Sequence, residues 1–183
     1  MKNIPATLLT LVVLAVVGGL AFVYSGIYNV AATNKHSALV HWVLHTTMEK
    51  SVERRAENIK SPANISLSDP KTIEMGFRHY DEMCTTCHGA PGIKPGEAHD
   101  GLNPQPPALA EHAKEMSPGE LFWVIKHGVR MTGMPAWGPT HSDDKIWAMV
   151  AFLKALPGIT PAQYKTMQAA ASQAPDDDHD HDH

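Results

Sequence analysis

The chain has two cysteines, Cys84 and Cys87, and His88 follows the second directly, in the run Met83-Cys84-Thr85-Thr86-Cys87-His88-Gly89. The spacing C-x-x-C-H reads as a covalent attachment site for a c-type haem. Two thiols about one helical turn apart can reach the two vinyl groups of a single haem and form thioethers, and the adjacent histidine then falls beneath the iron as its proximal ligand. Two other chemistries use paired cysteines. A redox C-x-x-C does not need the histidine and usually sits in a βαβ setting, which this sequence lacks. A zinc site needs two more good ligands at matched spacing, and there is no second C-x-x-C. Two cysteines alone give no disulfide framework.

A haem iron bound by one histidine leaves a second axial position. Downstream lies Gly128-Val129-Arg130-Met131-Thr132-Gly133-Met134-Pro135-Ala136-Trp137-Gly138. Met134 sits there in a Gly/Pro-rich stretch that cannot continue a helix. A thioether is a soft neutral ligand, and paired with histidine it stabilises the ferrous state and raises the reduction potential. A methionine can equally be a filler of core gaps, so its position behind C-x-x-C-H is what gives Met134 weight. Met131, Met83, Met116, His127 and His141 remain rival ligands.

Taken together, Cys84 to Gly89 and Met134-Pro135-Ala136-Trp137 resemble a class I cytochrome c of the bacterial single-haem type. Gly76 and Tyr80 match that family's first helix, where the glycine lets the last helix cross closely. Pro107-Ala108-Leu109 resembles the family segment whose proline carbonyl takes a hydrogen bond from the proximal histidine. Gly128 before the methionine loop fits as well, and Ile146 to Leu153 resembles the family's last helix. The resemblance spans residues 69–160. It implies an all-α haem domain with one covalent haem c, held by Cys84, Cys87, His88 and Met134, with His88 and Met134 as iron ligands. It also implies an electron carrier rather than an enzyme.

The local signals for the elements that must hold these residues agree. Asp69-Pro70 is a helix start, a capping residue before a first-turn proline, and the helix should reach about Cys84. Residues 89–116 are too irregular for strands and would wrap one side of the haem. Ser117-Pro118-Gly119-Glu120 has the form of a capping box. It opens a helix carrying Leu121, Phe122, Val124 and Ile125 that Gly128 can end. Ser142 caps the last helix, with Asp143 and Asp144 favourable at its positive end and Ile146, Met149, Val150 and Leu153 as its apolar set. Pro157-Gly158 stops it.

Further upstream, Asn3 to Asn34 carries no charged side chain, and Ile4 to Tyr24 is mostly Leu, Val, Ala and Gly. About 20 residues make roughly 30 Å of helix, the thickness of a bilayer's hydrocarbon core. The apolar run is longer than that of a cleaved signal peptide, although Val23-Tyr24-Ser25 would serve as a cleavage site. Lys2 stays inside, in keeping with the positive-inside tendency. Ser37 to Lys60 reads as a second helix, with Leu44, Met48 and Val52 at spacing four and Ser61-Pro62 as its stop. His36, His41 and His45 lie near one another on it. Metal or haem ligation and a plain polar face near the headgroups are the two readings, and the second is preferred because no carboxylate completes a zinc set.

Composition bounds what remains. Lys+Arg is 15 and Asp+Glu is 19, but five of the acids are Asp176, Asp177, Asp178, Asp180 and Asp182. The body is therefore nearly neutral, which argues against a nucleic-acid partner. The alternating Asp/His ending is a solvated acidic tail or a weak chelator of nickel, copper or zinc.

The sequence thus predicts an all-α protein, a cytochrome c-type haem domain preceded by a transmembrane helix and a juxtamembrane helix. Its segments are an anchor (1–25), a juxtamembrane helix and linker (26–68), the haem domain (69–165) and a disordered tail (166–183). The expected setting is the inner membrane, single-pass, with the haem domain on the periplasmic side. Expected partners are membrane lipid and a quinol-oxidising complex, a dehydrogenase, or a terminal oxidase or reductase. The alternative is the haem-bearing subunit of a membrane-bound oxidoreductase. Trp137 should pack on the haem rather than gate electron transfer. Arg78, Arg130 and Lys126 are candidates for the haem propionates as much as ordinary surface charges, and His79, His99 and His112 should be surface residues.

Overall fold

The computed structural model describes residues 4–173, so the Asp/His run at 176–183 lies outside the described residues. The chain separates into two compact units, residues 1–35 and 36–183. The first is helix α1 (Ile4–Ser25) and the stretch after it. Its span Pro5–Ser25 has a mean hydropathy of 2.6 and is long and apolar enough to cross a membrane.

The second unit is helical, with no strand among the described residues, as the sequence predicts. Its elements are α2 (Ala38–Ala56), α3 (Pro70–Met83), α4 (Thr85–His88), α5 (Glu97–Gly101), α6 (Leu109–Glu115), α7 (Pro118–His127), α8 (Asp143–Ala155), a 3-10 turn (Leu156–Gly158) and α9 (Pro161–Ala171). The anticipated caps are in place. The Asp69 carboxylate accepts from Thr72 N at 3.0 Å. Ser117 and Glu120 exchange the two bonds of a capping box, 2.7 and 3.3 Å. Each satisfies backbone N–H groups that the helix itself leaves open.

Helix α8 is the centre of the unit. Instead of one apolar stripe, Ile146 to Leu153 is buried without a break. A helix buried on every side needs neighbours on every side, and α3, α6 and α7 supply them. Trp147 stacks on Phe122 of α7, ring centroids 4.4 Å apart. Phe152 meets Phe77 and Tyr80 of α3 at 5.5 and 5.0 Å. The crossing with α3 is tight at Gly76, where a Cβ would come within 1.9 Å of the Ala148 carbonyl oxygen. No other residue type fits there.

Three elements differ from the sequence expectation. Helix α2 ends at Ala56 rather than Lys60, because the chain turns there and Ile59 packs toward the core. The stretch 89–116 holds two short helices, α5 and α6, and Lys154 of α8 donates to the carbonyls of Ala113 and Met116 at 2.9 and 3.0 Å, closing the end of α6. The ordered chain also continues past residue 165, through α9 to Ala171. Tyr164 and Gln168 of α9 both donate to the Asp81 carboxylate of α3, at 2.8 and 2.9 Å. Residues 166–171 therefore belong to this helix and not to a disordered tail.

Candidate haem-binding site

The C-x-x-C-H run forms a corner between two helices. Cys84 is the C-cap of α3, its N–H bonded to the Tyr80 carbonyl at 2.9 Å, and at the same time the N-cap of the single turn α4. Its carbonyl accepts from the N–H of Cys87 and His88 at 3.1 and 2.9 Å. That one turn holds both thiols and the imidazole on a single hydrogen-bonded corner. The Tyr80 hydroxyl, buried, donates to the Gly89 carbonyl at 2.7 Å and pins the exit. Burial, reinforced by Cys87, pushes the Cys84 thiol up to about 12.

The His88 ring is oriented. Its Nδ1 lies 2.8 Å from the Pro107 carbonyl oxygen. A carbonyl only accepts, so Nδ1 must donate, which leaves the Nε2 lone pair open. Burial holds the imidazole below its usual range; the Pro107 bond opposes this, and nearby His99 and His112 add to it. A neutral imidazole fixed in one tautomer by its second nitrogen is what a metal needs.

Met134 lies on the loop after α7. Gly128 ends that helix at φ +64°, and a Cβ on it would lie 2.7–2.8 Å from Pro135, Ala136 and Met134 backbone atoms. The loop therefore folds back directly over Gly128. Val129 N–H donates to the Met134 carbonyl at 3.2 Å, and Met134 N–H donates to Thr132 Oγ1 at 3.1 Å. Trp137 and Gly138 donate to the Ile125 and Lys126 carbonyls, at 3.0 and 2.9 Å, closing the end of α7. In this frame Met134 is partly buried and packs against the core, whereas Met131 is 91% exposed at φ +60°. A Cβ on Gly133 would lie 2.6 Å from the side chain of Leu102, which comes from the segment that also carries Pro107.

Residues 71–153, somewhat less than half of the chain, match the family model described as cytochrome C oxidase, cbb3-type, subunit III. The chain carries a cytochrome c-family domain. Among solved structures it is similar to a reducing HAO-like protein complex of Kuenenia stuttgartiensis, at 20% identity and a TM-score of 0.43, covering 55% of this chain and 52% of that one. It is also similar to the c-type cytochrome XoxG from Methylobacterium extorquens AM1, at 19% identity and a TM-score of 0.38, covering 66% and 89%. The chain spans about half the length of the first of these. No curated protein matches it.

Members of the cytochrome c family carry covalent haem, and the donor types of this domain fit that group: two thiols on one turn, an imidazole with Nε2 open, and a partly buried thioether on the loop after α7. The remaining candidate residues sort by contact. Trp137 is partly buried against the core and edge-on to His141 at 5.4 Å. His141 is also edge-on to His79 at 5.4 Å. Arg78 pairs with Glu74 at 2.9 Å and Lys126 with Asp143 at 2.6 Å, while Arg130 is exposed. Met83 and Met116 pack against the core, and His127 is exposed beside Trp123 at 5.1 Å. His36, His41 and His45 form no metal-ligating group of three among the described residues. His112 is exposed as expected, but His99 is not a plain surface residue. It is half-buried, and its Nδ1 donates to the Cys87 carbonyl at 2.8 Å. Nothing in the local sequence marks it, because the bond closes across the loop that α5 folds back.

Proposed function

We propose that this protein is a membrane-tethered, periplasmic cytochrome c that carries single electrons on one covalent haem. The observation that carries the reading is the rigid C-x-x-C-H corner with His88 Nδ1 committed to Pro107, which leaves one imidazole nitrogen for iron. Cys84 and Cys87 would form the thioethers, and His88 and Met134 the axial ligands. When bound, the haem supplies a one-electron ferric/ferrous couple.

The chain's own residues then do three things. The corner holds the two sulfurs and the imidazole in fixed relation, so little of the protein has to move when charge changes. The Pro107 carbonyl keeps the imidazole in one tautomer and strengthens its donor nitrogen. The loop pinned over Gly128 presents Met134 and withdraws Met131, which favours a soft neutral ligand and a raised potential. Helix α1 supports the tether by length and hydropathy. Redox partners would be membrane complexes that donate or accept single electrons. In the alternative, a fixed haem subunit of an oxidoreductase, α2 would be the docking element. The buried Val52 and Ala56 are instead covered within this chain, beside α7.

The reading predicts that haem stays with the denatured chain through acid–acetone extraction, at one haem per chain. Cys84→Ser and Cys87→Ser should each weaken that retention, and together abolish it. Haem that extracts freely from the unaltered chain would refute covalent attachment.

A further inference from the structure

Helix α2 has two halves of different character. The C-terminal half carries Glu49, Lys50, Glu53, Arg54 and Arg55 and buries Val52 and Ala56. It is docked: the Ala56 and Ile59 carbonyl oxygens come so near Gly119 of α7 that a Cβ there would lie 3.0 and 2.6 Å from them. The N-terminal half has no such cover. Leu39, Trp42, Val43 and Leu44 are 69, 63, 45 and 52% exposed. Leu39, Trp42 and Val43 stand at i, i+3 and i+4, on one face. No Asp, Glu, Lys or Arg occurs from His36 to Met48. Single exposed apolar residues need no explanation, but a face of this kind with a tryptophan at its middle does.

The connection to α1 indicates what covers it. Only residues 26–37 separate the two helices, a reach of at most about 40 Å when fully extended. Those residues themselves expose Ile27, Tyr28 and Val30. If α1 crosses a bilayer, the first turns of α2 stay within that reach of its surface. Tryptophan and tyrosine favour the headgroup level, and a helix with one apolar face lies in that layer rather than through it. His41 and His45, stacked at 5.6 Å, with His45 Nδ1 3.3 Å from the Glu49 carboxylate, give the same half-helix polar groups suited to headgroups.

We propose that Leu39, Trp42 and Val43 of α2 sit in the headgroup layer of the bilayer that α1 crosses, giving the haem-bearing unit a second contact with lipid. The proposal rests on the membrane-tether reading above. It adds an orientation to that tether. The far end of α2 is docked on α7, and α7 leads through Gly128 into the Met134 loop, so a lipid contact at Trp42 would fix how the haem site faces the membrane.

The test uses the full-length, haem-loaded chain in vesicles of phosphatidylethanolamine and phosphatidylglycerol. With both native cysteines in thioethers, Val43→Cys, Leu39→Cys, Arg54→Cys or Leu14→Cys supplies one thiol for a nitroxide. Spin-label accessibility to oxygen and to a water-soluble nickel complex is then compared in the ferrous protein. The expected result is an oxygen-to-nickel ratio at 39 and 43 severalfold above that at 54. A water-like ratio at 39 and 43, with a lipid-like ratio at 14, overturns the proposal and leaves the tether standing. Shielding of 39 and 43 from both reagents overturns it in favour of a second copy of the chain. A water-like ratio at 14 removes the tether reading itself.

Discussion

His88 has two ring nitrogens, and the fold commits one of them to Pro107. In the proposed reading the other would be the iron ligand, and the potential of the couple would depend on the second ligand. The loop decides between two methionines three residues apart by turning Met131 outward at φ +60° and drawing Met134 toward the core. Met134→His should therefore lower the reduction potential by on the order of 100 mV, within the ~0.8 V range that axial ligands command. Met131→Leu should leave it nearly unchanged. A spectroelectrochemical titration of both variants checks the assignment, and a potential that responds only at 131 would move the ligand. At this scale much of the site was legible. C-x-x-C-H is a local pattern whose spacing is itself the chemistry, and the Pro107 contact came with the family resemblance. The bond from His99 to the Cys87 carbonyl was not legible, because it joins residues that only the folded loop brings together.

At the scale of elements, the site depends on one helix crossing. Helix α3 is capped by Cys84, and its position is set where Gly76 passes the Ala148 carbonyl of α8. A methyl group at 76 has no space on either side, with the Phe152 Cβ also 2.9 Å away. Gly76→Ala should cost at least the ~1–3 kcal/mol typical of overpacking, because the obstacle is backbone and cannot rotate away. Chemical denaturation of the haem-loaded protein should show a lower midpoint with an unchanged slope, and an unshifted midpoint would mean the helices cross differently. Helix starts were readable here, since Asp69-Pro70 and the Ser117–Glu120 box act through backbone groups one turn away. Burial of α8 on every side was not readable from its apolar stripe, which shows where one neighbour lies and not how many there are. Helix α9 does carry a local sequence signal: Thr160 and Gln163 form a capping box with Pro161 in the first turn.

At the scale of the whole molecule, the role of α1 decides where the protein works. Every described side chain from Pro5 to Ser25 is exposed, which a core helix would not tolerate. A signal sequence and an anchor both satisfy that observation, and they give different proteins. A cleaved chain would diffuse freely, and the near-neutral body would give it little electrostatic help in finding a partner. An uncleaved chain replaces that help with confinement, since a tether of short reach holds its cargo near membrane partners at an effective concentration of about millimolar. The weak charge of the body is thus easier to reconcile with a tether. Intact-mass measurement of the haem-loaded protein from native membranes should accordingly find residues 1–25 still attached. The protein should also remain with the membrane through washes in high salt and alkaline carbonate, which strip surface-bound proteins. A mature chain starting near Gly26 and released by those washes would make it a soluble carrier, and the exposed face at Leu39, Trp42 and Val43 would then have to meet a protein instead of lipid.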